Sequence, residues 1–224
     1  LFKRLWELAC EKSSRLIVAV DDDKALDDMP ALLENLKEYA IGIKLGFPAL
    51  FKLGPEGIKD ITKSWRDEFY FLADYKLADI PYIINLALLK LRNLGFDGAT
   101  VHIFQRGLEE ALKGDIPEAI GVISMSHRSP LLDREFFNNL RYVKGLGMKG
   151  LVVGATKREL IGEGKKEGFV IFSPGIGVQG GDVAEALRLG TDFEIIGRAV
   201  VKARDPREAA RRIVEVERKT LSSL

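Results

Sequence analysis

The stretch Phe69-Tyr70-Phe71-Leu72-Ala73-Asp74-Tyr75-Lys76-Leu77-Ala78-Asp79 decides the reading of this chain. Its first five residues are continuously apolar, as in a parallel strand buried on both faces. A carboxylate, an ammonium group and a second carboxylate follow within six residues. On a strand, residues two apart share a face, so Asp74 and Lys76 are expected to project together from the strand's C-terminal end. Asp79 then opens the next helix. Opposite charges gathered in a pocket create strong local fields and displaced pKa values, which makes this stretch a candidate catalytic centre.

Similar apolar runs recur along the chain. Strands are expected at Leu16–Val20, Ile41–Leu45, Phe69–Ala73, Gly98–His102, Ala119–Ser124, Gly150–Val153, Phe169–Phe172 and Phe193–Ile196. Helical spacing of apolar residues fills several intervals. Met29, Leu32, Leu33 and Leu36 mark Asp27–Tyr39; Ile84, Leu88, Leu91 and Leu94 mark Ile80–Leu94; Ala209, Ile213 and Val216 mark Arg204–Thr220. Residues Leu1–Lys12 read as an extra helix before the first strand. Eight βα units fit an α/β fold of the (β/α)8 TIM-barrel type, as a single domain over residues 1–224. An open doubly wound sheet would leave the same pattern. A barrel places its chemistry at the C-terminal ends of its strands. Asp21, Lys44, Asp74, Lys76, His102, Ser126 and Arg198 all fall there.

The composition narrows the function classes. The net charge is +1 over 224 residues, with a mixed charged fraction of 30%, so no basic field for nucleic acid is present. A single cysteine, Cys10, precludes an internal disulfide and fits a reducing compartment. No apolar run approaches the roughly 18 residues needed to span a bilayer, and no charged leader precedes an apolar stretch. A cytoplasmic protein with no membrane contact is expected. Scarce Asn and Gln beside abundant Lys, Arg and Glu hint at a heat-adapted source.

The remaining constellations each allow two readings. After the seventh strand comes Ser173-Pro174-Gly175-Ile176-Gly177-Val178-Gln179-Gly180-Gly181-Asp182, and after the eighth Gly197-Arg198. Glycines let a backbone approach a ligand with its N–H groups, and a guanidinium can grip phosphate with two parallel bonds. These two loops form the usual phosphate site of a barrel; alternatively they are ordinary turns, with Asp182 a helix cap. Lys44 either points into the barrel mouth or snorkels at the surface. Asp79, before Ile80-Pro81, is either a functional carboxylate or a helix cap. One of Asp21, Asp22 and Asp23 suits a hydroxyl-bearing ligand. His102 and His127 have no metal-like spacing and read as structural or pocket-lining.

Taken together, these residues resemble the orotidine 5′-monophosphate decarboxylase family in its compact microbial form. The resemblance runs from Arg15 to Pro206. It rests on Asp21, Lys44, the Asp74-x-Lys76-x-x-Asp79-Ile80-Pro81 motif, Met125-Ser126-His127, the Ser173–Gly181 loop and Gly197-Arg198. It implies decarboxylation of orotidine 5′-monophosphate to uridine 5′-monophosphate in pyrimidine biosynthesis, with no metal or organic cofactor. Lys44, Asp74, Lys76 and Asp79 would be the catalytic array, and Lys76 the proton donor to the carbanion left by CO2. Asp21, Ile80, Ser126, Pro174, Gly175, Gly177, Gln179, Gly180, Gly197 and Arg198 would bind the nucleotide. Asp21 would take a ribose hydroxyl, Ser126 the pyrimidine amide edge, and Gln179 and Arg198 the phosphate. A homodimer is implied, with Asp79 reaching across the interface.

One position departs from the family. Ile83 stands where a threonine hydroxyl often reaches the partner's ribose, a loss on the order of 1 kcal/mol. The loop Ala155-Thr156-Lys157-Arg158 is a possible source of a further basic group. Two alternatives accompany this reading. One is a magnesium-dependent sugar-phosphate enzyme sharing Asp74, Lys76 and Asp79, although Lys44 replaces its acidic metal ligand. The other is a nucleotide-phosphate binding protein that has lost the chemistry.

Overall fold

Alternation along the strands sorts the side chains into two apolar shells. In the first strand Leu16, Val18 and Val20 face the surrounding helices, while Ile17 and Ala19 face the barrel axis. In the third, Phe71 and Ala73 face outward, and Tyr70 and Leu72 inward. Both shells are buried, so the strand runs read as continuously apolar. The structure, a computed structural model, describes residues 2–177 and 182–224.

Eight parallel strands close into a barrel in sequence order. They are β1 (Leu16–Val20), β2 (Gly42–Leu45), β3 (Tyr70–Leu77), β4 (Gly98–His102), β5 (Glu118–Val122), β6 (Gly150–Val152), β7 (Val170–Pro174) and β8 (Phe193–Ile196). β1 pairs with β8 through Ile17 opposite Ile195, which completes the ring and excludes the open sheet. Helices alternate with the strands. The extra helix is present as Lys3–Lys12, and its Leu5, Leu8 and Ala9, with Phe2, plug the N-terminal end of the barrel against Tyr70, Phe172 and Phe193.

The structure adds three features that the sequence reading did not contain. β3 runs on to Leu77, beyond the apolar run. Its pairing with β4 slips between Ala73 and Leu77, and Lys76 takes a left-handed backbone (φ 45°). The helix expected from Asp27 starts at Met29. Pro30 occupies its first turn and the Asp28 carboxylate caps it by accepting the Ala31 N–H at 3.3 Å. The long helix Phe47–Ser64 is kinked at Gly54, where φ is 65° and Pro55 follows, so its apolar spacing is broken.

Candidate active site

The same alternation brings the charged residues together. Continuing the inward rows places Asp21 beyond Ala19, Lys44 between outward Ile43 and Leu45, and Asp74 beyond Leu72. Each row is apolar until the C-terminal mouth of the barrel and charged there, so the charges meet at one end.

The groups form a chain of ion pairs. Lys44 Nζ is 3.0 Å from Asp21 Oδ2 and 3.0 Å from Asp74 Oδ2. Lys76 Nζ donates to both oxygens of Asp74 at 2.8 Å. Burial alone would raise the Asp74 pKa, but the two ammonium groups overcome it and hold the carboxyl down at about 2. Lys44 is only 7% exposed. Burial works to lower its pKa, yet Asp74 and Asp21 outweigh that and the net direction is upward. Asp74 is therefore a carboxylate, and Lys44 a cation, across the neutral range.

A residue absent from the sequence reading completes the array. Thr100, the inward residue in the middle of β4, is 2% exposed. Its hydroxyl donates to Asp74 Oδ1 at 2.9 Å and accepts the Lys76 backbone N–H at 3.0 Å. That N–H belongs to the left-handed residue, so Thr100 ties down both the Asp74 carboxylate and the irregular backbone carrying Lys76. The available signal was its place in the inward row, two before His102.

A cavity of about 340 Å³ opens beside this array. Asp21, Lys44, Asp74, Ser126, Pro174, Gly175, Gly197 and Arg198 all line it. Arg198 is exposed at the start of the short helix Arg198–Val201 and has no ion-pair partner among the described residues. Gly175 has φ 96°, a conformation that side chains strain to adopt, and brings the backbone after β7 to the cavity wall. Gly177 is not part of that wall, and Gln179 and Gly180 lie outside the described residues. Asp182 caps its helix through the Glu185 N–H at 2.9 Å.

Asp79 and Ile80 stand apart from the cavity and are exposed. The cap reading of Asp79 needs correction. Ile80 is the N-cap of Pro81–Asn93, and the Asp79 carboxylate accepts the Ile80 N–H at 2.7 Å in the preceding loop.

The β6 loop is also corrected. Lys157 pairs with Asp133 at 2.5 Å and Arg158 with Glu185 at 2.9 Å; neither lines the cavity. Thr156 is the member that bears on the site, because its hydroxyl donates to the Ser126 carbonyl at 2.9 Å. At Gly154 a Cβ would lie 2.6 Å from Met125 O and Ser126 Cα, so only glycine lets the β5 and β6 loops pack and hold Ser126 at the wall. His102 Nδ1 is buried without a partner, and burial, then Lys76, lower its pKa. His127 is exposed.

Fold and site define a barrel enzyme with a charged centre beside a cavity that Arg198 lines at the C-terminal ends of the strands. The family described as orotidine 5′-phosphate decarboxylase / HUMPS matches residues 14–213. The orotidine 5′-phosphate decarboxylase of Pyrococcus abyssi is 36% identical over 204 residues, covering 87% of this chain and 93% of that protein. That of Aeropyrum pernix is 35% identical over 219 residues, covering 92% and 89%. The crystal structure of orotidine 5′-monophosphate decarboxylase from Sulfolobus solfataricus superposes with a TM-score of 0.81 at 29% identity, covering 93% and 99%. The Methanocaldococcus jannaschii enzyme, complexed with inhibitor BMP, gives 0.78 at 29% identity, covering 91% and 98%. The chain belongs to the orotidine 5′-phosphate decarboxylase / HUMPS family.

Proposed function

We propose that this protein decarboxylates orotidine 5′-monophosphate to uridine 5′-monophosphate, with Lys76 as the proton donor. The observation that carries the mechanism is Asp74, on the cavity wall with Lys44, held between the ammonium groups of Lys44 and Lys76. When the bond between the pyrimidine carbon and its carboxylate breaks, the electron pair stays on that carbon. A fixed cation aimed at the developing charge, away from water, stabilises it, and the Lys76 ammonium then gives it a proton. Asp74 and Thr100 fix where that ammonium points. Arg198 and the backbone at Gly175 take the phosphate, Asp21 a ribose hydroxyl and Ser126 the base edge. Phosphate contacts far from the reacting carbon can drive closure and so raise the chemical rate.

The protein acts as a homodimer of single-domain barrels in this reading. Exposed Ile80, Tyr82, Ile83 and Leu86 follow Asp79 in the chain, an apolar stretch suited to a partner that receives the carboxylate. No helix among the described residues is long and apolar enough to cross a membrane, and the exposed thiol of Cys10 suits a reducing cytoplasm. The magnesium-dependent alternative is disfavoured because Asp21 and Asp74 already share the Lys44 ammonium, which would repel a divalent ion.

The test follows the loss of orotidine 5′-monophosphate absorbance with excess chelator, for the native protein and Lys76→Ala. Turnover by the native protein and its loss in the variant are expected. No turnover by folded, dimeric native protein would overturn the assignment, and turnover that vanishes with chelator would favour the metal-dependent alternative.

A further inference from the structure

The N-terminal half of the molecule holds a second cavity, of about 430 Å³, lined by the end of the helix Phe47–Ser64, the end of the helix Pro81–Asn93 and Arg4 of the first helix. Its wall carries five cations, Arg4, Lys59, Lys63, Arg66 and Arg92, against one carboxylate, Asp97. The chain as a whole is close to neutral, so this is a local concentration of charge.

Basic residues near helix C-termini have an ordinary explanation, since each helix end carries roughly half a negative charge. Two helix ends offset about one of these cations and Asp97 a second. Arg4 Nη1 already pairs with Asp97 at 2.8 Å, and Arg92 with Asp115, outside the wall, at 3.1 Å. Lys59, Lys63 and Arg66 have no carboxylate partner among the described residues. Two carbonyls at these helix ends are already bonded: Trp65 N–H caps Ile61 O at 3.1 Å, and the Thr62 hydroxyl reaches Leu94 O at 2.6 Å. Arg4 lines the wall as a cation already engaged with Asp97.

We propose that this cavity is a binding site for an oligophosphate anion, the small-molecule class that carries three or four charges on a compact chain. Lys59, Lys63 and Arg66, the three wall cations without a carboxylate partner among the described residues, supply the charge that holds it. Arginine planes suit phosphate oxygens in pairs, while the lysines supply mobile point charges. The volume falls within the range of small-molecule pockets, and concavity favours a compact anion over an extended nucleic acid, which would need a basic strip. The site is separate from the anion pocket at Arg198, on different elements of the fold. The oligophosphate can be free or the tail of a nucleotide.

The test is calorimetric titration of the intact protein with sodium tripolyphosphate, and separately with uridine and adenosine triphosphates, all with chelator present. Native protein, Arg198→Ala and the double variant Lys63→Glu with Arg66→Glu are compared; the reversed side chains are exposed, and circular dichroism checks their fold. The expected result is one tripolyphosphate per chain, unchanged in Arg198→Ala, at least tenfold weaker in the charge reversal and weaker as salt rises. Equal binding of the three ligands identifies the phosphates alone as the recognised group. Tighter binding of a nucleotide, still lost in the charge reversal, supports the site with a nucleotide as its source. No binding to native protein at 50 mM salt overturns the proposal. So does binding abolished by Arg198→Ala but kept in the charge reversal, and so does binding confined to a long oligonucleotide.

Discussion

The Thr100 hydroxyl lies 2.9 Å from Asp74 Oδ1, on the side of the carboxylate that Lys44 does not reach. It receives the Lys76 N–H at the same time, so one buried side chain fixes both the acceptor and the backbone of the cation. A hydrogen bond to a charged group contributes about 1.5–3 kcal/mol, or roughly a 10- to 100-fold effect on rate if it acts in the transition state. Thr100→Val keeps the shape and removes the hydroxyl. A fall in kcat of that size with KM little changed is expected in steady-state assays, with recovery in Thr100→Ser. An equal loss in the Ser and Val variants would show that Thr100 acts only through packing.

How much of this was legible follows from what each feature depends on. Asp21, Lys44 and Asp74 could be placed because alternation is a local rule: Asp21 and Asp74 stand one step beyond inward Ala19 and Leu72, and Lys44 lies between outward Ile43 and Leu45. Thr100 could not be singled out, since threonine is an ordinary strand residue and its role depends on a kink in the neighbouring strand. That kink places a non-glycine residue, Lys76, at positive φ, which no propensity favours. The β6 loop misled for a similar reason: Lys157 found Asp133, 24 residues away, and that pairing exists only after folding.

The pairing of Asp74 sets the acid side of the stability profile. Its carboxyl is lowered from 3.8 to about 2, so it contributes stability above its unfolded value, lost as pH falls through the folded one. The shift corresponds to on the order of 2 kcal/mol. Lys44, raised, contributes on the opposite side: its share is present below 10.5 and is lost as pH rises through its higher folded value. Thermal melts should therefore show no change from these groups between about pH 4 and pH 10. Lys44→Met removes one partner of Asp74 and should bring the acid loss to higher pH. An unmoved acid limb would mean that Lys44 does not hold Asp74 ionised.

A buried acid pair makes a separate prediction. Glu194 of β8 and Glu217 of the helix Pro206–Leu221 are both fully buried. Glu217 Oε2 accepts the Arg15 N–H at 2.7 Å and the Ser14 hydroxyl at 3.3 Å, while neither Glu194 oxygen has a partner. Burial, then the charge of Glu217, push the Glu194 carboxyl well above the usual carboxylate range. Its contribution is complete below pH 4.5 and declines as pH rises towards the folded value. Glu194→Gln cannot ionise, so it should melt higher than the native protein at alkaline pH, on the order of 5 °C at pH 9, and alike at pH 4. A variant less stable at pH 9 would show that the ionised pair is not a burden.

The last prediction concerns Asp79, exposed and remote from the cavity of its own chain. If it serves the partner's site, Lys76→Ala and Asp79→Ala are each inactive as homodimers for different reasons. Mixing them by unfolding and refolding together gives heterodimers in about half of the molecules, by chance pairing of equal amounts. Each heterodimer has one site with both defects and one with neither. Recovery of about a quarter of native activity is therefore expected, since half of the dimers carry one intact site of two. The measurement is turnover of the mixture against each variant refolded alone. Unmixed variants recovering equally, or a mixture with no activity despite shown heterodimers, would place Asp79 outside the partner's chemistry.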